Sequence, residues 1–252
     1  MKIHTMVLTL IALILAVSVP AQNATKSTEG ERKISMKDCR EIKVYGSWIV
    51  DVVPQKSSDC VIKGEENILQ KLRIQQKKGI LVIQAKGLFS SEGSGSITVP
   101  LKCLPPQNRF TGACKISIQG DLKQNTRWSL TQGASLEIEK ISAKSLSVHA
   151  NDTCSVTVKQ GTLDKGTIHL SKNATANLNG QFNNLELHMS GSAKADVKTC
   201  KNARVSARNS SIVTIACTKT LNASCSSSAQ ILYSGSPALT QKVSGKGSIL
   251  KK

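Results

Sequence analysis

Ser147-Val148-His149-Ala150, Thr167-Ile168-His169-Leu170 and Glu186-Leu187-His188-Met189 are one phrase written three times, with the histidines 20 and then 19 residues apart. In each copy the histidine sits between two apolar residues and follows a polar residue by two places, the alternation of a half-buried strand. A strand that returns at this interval is the mark of a solenoid. Aligning the small and turn-forming residues extends the repeat both ways: segments open at Gly112, Gly133, Asp152, Asn173, Gly191, Ser210, Ser227 and Gly245, about 19 residues apart. Each rung carries a turn, a short alternating strand, a second turn and a second strand. In the rung from Asp152, Cys154, Val156 and Val158 share one face, Gly161 turns the chain, and Ile168 and Leu170 point inward again.

The apolar spacing is two throughout, and β-branched residues and serine dominate, so no helix fits. The expected fold is all-β, a right-handed parallel β-helix: crossovers between parallel strands are nearly always right-handed, and one rung cannot bury its apolar face without its neighbours. Residues 101–252 supply about seven such rungs. Residues 34–100 are β-rich but out of register with the repeat, and are expected to cap the open end of the coil, where unpaired strand edges would aggregate. Within them Leu72-Arg73-Ile74 and Ile80-Leu81-Val82-Ile83 flank Lys77-Lys78-Gly79 as a hairpin, and Phe89 to Gly95 reads as a loop.

The N-terminus reads as an export signal. Val7 to Val19 is apolar but for Thr9 and Ser18, and Val19-Pro20-Ala21 places small residues for cleavage after Ala21. The run is too short to span a membrane. Residues 1–21 are therefore expected to be removed and 22–33 to form a flexible lead, leaving an extracytoplasmic protein (periplasmic, surface-bound or secreted) with no transmembrane segment.

The whole chain carries 34 basic and 16 acidic residues, a net +18. Such a charge favours acidic polymers or anionic surfaces. Nucleic acid is not expected: zinc-finger, Arg-Gly and aromatic RNA-binding motifs are missing from the sequence, and three Phe, two Trp and two Tyr are too few for base-stacking platforms. Lysines gather near the second turn of many rungs. Lys140, Lys144, Lys159 and Lys165 are the candidate polyanion-binding stripe.

Each histidine of the triplet points opposite to its apolar neighbours, so His149, His169 and His188 should form one outward column. Stacked rungs lie ~4.8 Å apart, close enough for adjacent imidazoles to share a metal ion, with Glu186 as an oxygen donor. An exposed strand face that happens to carry histidines is the simpler account. All eight cysteines lie beyond the signal, and their spacing excludes zinc-finger patterns. Cys200 and Cys217 occupy one position in neighbouring rungs, the place held by Leu163 and Phe182 above them, and are disulfide candidates, as are Cys39 and Cys60. Cys114 and Cys154 match across an intervening rung and read as core fillers.

Catalysis is not expected. A solenoid enzyme that cuts acidic polysaccharide needs paired carboxylates or an acidic calcium cluster. The rungs are poor in acids, and Glu137 and Glu139, which share a strand face, have no second acid aligned beside them. No cofactor is implied.

The closing phrase Ile231-Leu232-Tyr233-Ser234-Gly235-Ser236-Pro237, followed by Val243-Ser244-Gly245-Lys246-Gly247-Ser248-Ile249, resembles the end of the auto-transporter adhesin head GIN domain family. So do Ile42-Lys43-Val44, Trp48-Ile49-Val50-Asp51-Val52 and Val99-Pro100 near the start. The family's Ser-Gly-Ser-Gly turns survive most clearly at Ser190-Gly191-Ser192 and Ser244-Gly245-Lys246-Gly247. The resemblance implies an exported β-solenoid of Bacteroidetes type and implies no reaction. The expected function is a non-catalytic binding or adhesion module of the cell envelope, contacting acidic polysaccharide or lipopolysaccharide through its basic edge. The alternatives are a structural envelope protein without a ligand and, last, a β-helix enzyme acting on acidic polysaccharide.

Overall fold

The computed structural model describes residues 29–85 and 95–252; the signal expected at 1–21 and most of the loop from Phe89 lie outside the described residues. Alternation decides everything that follows. The strands of the inner rungs bury every second side chain, and the buried sets face one another across the interior of a coil.

The N-terminal part holds β1 (Glu29–Ser35), β2 (Glu41–Tyr45), β3 (Trp48–Val53), β4 (Asp59–Glu65), a short helix α1 (Glu66–Gln70), β5 (Leu72–Lys77), β6 (Ile80–Ala85) and β7 (Gly95–Pro100). The repeat continues with β8 (Gln107–Thr111), β9 (Lys115–Leu122), β10 (Thr126–Thr131), β11 (Ser135–Ile141) and β12 (Ser145–Ala150). Four long strands then bend through a corner within one rung each: β13 (Ser155–Leu170), β14 (Thr175–Met189), β15 (Lys194–Ala207) and β16 (Ile212–Cys225). The stack closes with β17 (Gln230–Ser234), β18 (Ala238–Val243) and β19 (Ser248–Lys251). All the strands belong to one sheet wound as a parallel β-solenoid of about seven turns.

Two long parallel ladders make its walls. The first runs β8, β10, β12, the second halves of β13 to β16, and β18. The second runs β9, β11, the first halves of β13 to β16, then β17 and β19. Irregular register between Val158 and Thr162, and between Leu178 and Gln181, marks the corner joining the walls. Gly161 sits there at φ +119°, and a Cβ on it would lie 1.9 Å from the Ile141 carbonyl oxygen, so only glycine fits.

Inward residues stack by type. Trp128, Val148, Ile168, Leu187 and Val205 form one column of the first wall, all buried. Trp128 stacks on Phe110 at 5.9 Å and donates its indole N–H to Thr126 Oγ1 at 2.9 Å, which satisfies its one polar atom. In the second wall the backbone ladder aligns Cys114, Ala134, Cys154 and Ala174, all buried, in a narrow column where only small side chains fit.

The N-terminal part differs from the expected separate cap. β2 pairs in parallel with both β6 and β8, and β3 with both β7 and β9. Rungs therefore lie on both sides of residue 100, and the boundary expected there is not a structural one. The pattern was hard to read because β4, α1 and β5 are inserted between two rungs and break the period. In space the β6–β7 rung is outermost and the β2–β3 rung lies beneath it, reversing chain order. The cap proper is smaller: β4 pairs antiparallel with β7, β1 pairs antiparallel with β4, and β5 pairs antiparallel with β6. The expected hairpin is β5–β6, turning at Lys78 and Gly79 with φ of 52° and 76°. The lead expected to be flexible through residue 33 is already strand β1 from Glu29, held by its ladder to β4.

The turn alignment also shifts in two rungs. The left-handed residues there are Lys172 and Asn209, one place ahead of Asn173 and Ser210, whereas Gly112, Gly133, Asp152, Gly191, Ser227 and Gly245 have positive φ where the alignment put them, with Gln132 left-handed beside Gly133.

Candidate functional site

The outward side of the first wall is flat, polar and three columns wide. Strand pairing sets Gln107, Arg127, Ser147, Thr167, Glu186 and Arg204 in the first column. Arg109, Ser129, His149, His169, His188 and Ser206 form the second. The backbone ladder adds a third beyond the strand ends: Asn151, Ser171, Ser190 and Arg208.

The histidine column is where the alternation placed it, because Val148, Ile168 and Leu187 point into the core on one side and Ala150, Leu170 and Met189 on the other. Its rings lie face to face. His149 and His169 have centroids 4.3 Å apart and planes 5° from parallel; His169 and His188 are 4.6 Å apart at 14°. Partial burial, with Arg127 nearby, lowers the His149 pKa below its ordinary 6.5. Partial burial and the two flanking imidazoles do the same to His169, against a smaller opposing pull from Glu186. Glu186 Oε1 lies 3.0 Å from His188 Nε2, and that hydrogen bond lowers the Glu186 pKa.

This geometry does not favour one metal ion shared by His149, His169 and His188. A ring nitrogen's lone pair lies in the ring plane, so stacked parallel rings aim their lone pairs side by side rather than at one point. Among the described residues no group of three or more His, Cys, Asp and Glu is arranged to hold a metal ion.

The lysine stripe is not one column either. Lys140 is in register with Asp121 and Gln160, whereas Lys165 is in register with Ser145 and Asn184. Acids are interleaved with these lysines: Lys140 pairs with Asp121 at 3.7 Å and Lys159 with Glu137 at 2.6 Å. The same contacts occupy the acids considered for catalysis. Glu137 holds Lys159, and Glu139 Oε2 accepts the Gly120 N–H at 2.7 Å.

The arginines are different. Arg109, Arg127, Arg204 and Arg208 all belong to the histidine face and are exposed. Among the described residues none has a carboxylate within 4.0 Å. Sequence reasoning did not group them on one face because it sought basic residues at the turns. The signal was in the repeat itself: Arg127 and Arg204 occupy the position two before the histidine, where the other rungs carry Ser147, Thr167 and Glu186.

The cysteine candidates are free thiols. Register does join Cys200 to Cys217, below Leu163 and Phe182. In-register neighbours on parallel strands hold their Cβ atoms about 4.8 Å apart, wider than the 3.5–4.5 Å a disulfide uses. The hydrogen bond shared with Cys217, together with burial, pushes the Cys200 thiol well above the ordinary range. Cys39 Sγ donates to the Glu41 carbonyl at 3.3 Å, and burial, aided by Cys39, pushes the Cys60 thiol up to about 12.

The model of the family described as "Putative auto-transporter adhesin, head GIN domain" matches residues 38–237. The chain belongs to this family. Solved structures share the fold at low identity. A putative adhesin from Parabacteroides merdae superposes with a TM-score of 0.72 at 18% identity, over 90% of this chain and 97% of its own. A putative lipid binding protein from Parabacteroides distasonis gives 0.75 at 16%, over 90% and 98%. A putative adhesin from Bacteroides fragilis gives 0.64 at 17%, over 89% and 96%. No curated protein matches the chain significantly.

Proposed function

We propose that this head GIN domain protein is an exported, non-catalytic binding module of the bacterial cell envelope, and that its histidine–arginine face holds an acidic polysaccharide or lipopolysaccharide. One observation carries the reading: Arg109, Arg127, Arg204 and Arg208 share one flat face without carboxylate partners among the described residues, while Lys140 and Lys159 of the corner are ion-paired. Unpaired guanidinium groups on a rigid lattice are suited to bidentate contact with carboxylate, sulfate or phosphate groups. A flat face of repeating donors fits an extended chain better than a small ligand, which needs a concave, enclosing site. One structural neighbour is named for lipid binding, but on this face the outward columns carry no large apolar side chain. The exposed Ile49, Val243 and Leu250 lie elsewhere.

Retention on immobilised heparin over a salt gradient tests the proposal. Replacing the four arginines together by Gln should lower the eluting salt markedly, because each released phosphate-like contact weakens binding. Replacing Lys140, Lys144, Lys159 and Lys165 by Gln should change it less. Equal retention of the arginine variant and the wild type would overturn the assignment of the face.

A further inference from the structure

One part of the face is indented. A depression of about 320 Å³ opens beside the lower histidines, between the second and third columns, lined by His169, Ser171, His188, Ser190, Ser206 and Arg208, with Leu170 and Met189 beneath. The strand spacings make it roughly 7 by 10 Å, two residues along the strand and three rungs across. Its outward groups are nearly all hydrogen-bond donors. Arg208 has no carboxylate partner, and among the described residues the hydroxyls of Ser190 and Ser206 make no side-chain hydrogen bond. Ser171 is committed to Asn151 Oδ1 at 2.7 Å.

We propose that His169, His188, Ser190, Ser206 and Arg208 form a discrete site for a tetrahedral oxyanion, the sulfate or phosphate ester of an acidic glycan chain. This site rests on the face being the contact surface and names the group that anchors there. An arginine, two hydroxyls and two imidazoles supply more donors than a single carboxylate can accept, and donors on several sides of one depression suit the three terminal oxygens of an ester sulfate or phosphate. A glycan is favoured over a lipid headgroup because the apolar side chains at the site, Leu170 and Met189, are buried and none is exposed to enter a bilayer.

The site should also respond to pH. The charged or titratable groups around His169 are His149 and Arg127 on the rungs above, Lys165 on its own strand, Glu186 and His188 on the next, and Arg204 and Arg208 beyond. Glu186 is the single acid among them and is already engaged with His188 at 3.0 Å. A bound anion would offset the burial and the neighbouring imidazole charges that lower the His169 pKa. Anion binding and imidazole protonation therefore favour each other, and affinity rises as pH falls toward and below 6.5.

The experiment is an NMR titration of the histidine rings from pH 8 to 5 in sodium sulfate and in sodium chloride of equal ionic strength. Sulfate stays dianionic over this range, so only the protein titrates. The expected result is an upward shift of the His169 midpoint in sulfate, abolished in Arg208→Gln. Dextran sulfate should bind Arg208→Gln about tenfold more weakly than wild type at pH 5.5, and Lys140→Gln as wild type. Identical midpoints in both salts, together with unchanged dextran sulfate affinity in Arg208→Gln, would overturn the site while leaving the face reading intact if heparin is still retained. Binding to phosphatidic acid vesicles but not to dextran sulfate would overturn it in favour of a lipid headgroup. An unshifted wild type that still loses affinity in Arg208→Gln would reduce Arg208 to one more charge on the face and also end the proposal.

Discussion

His149 and His169 stack with centroids 4.3 Å apart and planes 5° from parallel, so two imidazoles share a space in which both are hard to charge. Their spacing is not a packing accident. The rung repeat fixes it, and a side chain at that position in one rung must lie over its counterpart in the next.

The first prediction concerns acid stability. His149 and His169 have folded pKa values below their ordinary 6.5. As pH drops below 6.5 the unfolded chain therefore takes up protons that the native fold still refuses, and stability falls as pH falls through this window. The loss ends once pH passes below the folded values. The urea midpoint should drop from pH 7.5 to 5.5, and the double variant His149→Gln/His169→Gln should flatten the decline. An unchanged slope in the double variant would mean other groups set the acid limit.

The second concerns the corner. Gly161→Ala places a Cβ 1.9 Å from the Ile141 oxygen at φ +119°, so backbone must move. The expected cost is about 3 kcal/mol. Gly133→Ala, whose nearest contact is Thr153 Oγ1 at 3.5 Å and whose φ is +86°, should cost about 1 kcal/mol. Urea denaturation of both variants checks the ranking, and equal costs would contradict it.

The third concerns the thiols. Cys200 and Cys217 are fully buried and unbridged. Iodoacetamide should leave both unmodified in native protein prepared without reductant and should label both after unfolding in guanidinium. A disulfide-linked peptide containing Cys200 and Cys217 in a non-reduced digest would refute the geometry argued from the parallel ladder.

The fourth concerns the cap. Strand β1 covers β4 through a ladder that runs from Glu29↔Glu65 to Ser35↔Asp59. Deleting Glu29–Ser35 would bare that edge, and a bared edge pairs with other chains. Light scattering should show concentration-dependent association of the truncated protein where the longer chain shows none. A monodisperse truncation would mean that β4 is protected by other means.

Much of this was legible in the sequence because a solenoid writes its geometry in one dimension. The phrase around His149, His169 and His188 gave strand, period and outward direction together, and the register reproduces each step. The β2–β3 rung was not legible, since nothing in Ile42 or Val50 says that the partner strands lie beyond the β4–α1–β5 insertion. The site was half legible. The histidines form a repeat and could be found by alignment; Arg109, Arg127, Arg204 and Arg208 are irregular within the same columns, and only the ladders show that they share a face. Pairing of Lys140 and Lys159 with acids on neighbouring rungs depends on register across the corner, where Gly161 and the adjoining irregularities hide it from counting.

The reversed order of the N-terminal rungs has a consequence for how the chain reaches this structure. Along most of the coil a contact reaches one rung back: Ser171 meets Asn151 only 20 residues earlier. The β2–β3 rung waits far longer for its neighbours: the Cys114 thiol donates to the Gly46 carbonyl across 68 residues. Closing the longer loop costs about 1 kcal/mol more in chain entropy, and β2 has no rung to lie against until β6 or β8 exists. A chain made from its N-terminus thus releases β2 and β3 first and seats them late. The C-terminal rungs each find a partner one rung back, while the β2–β3 rung stays half-paired, against β6 and β7 alone, until β8 and β9 arrive to cover its other edge.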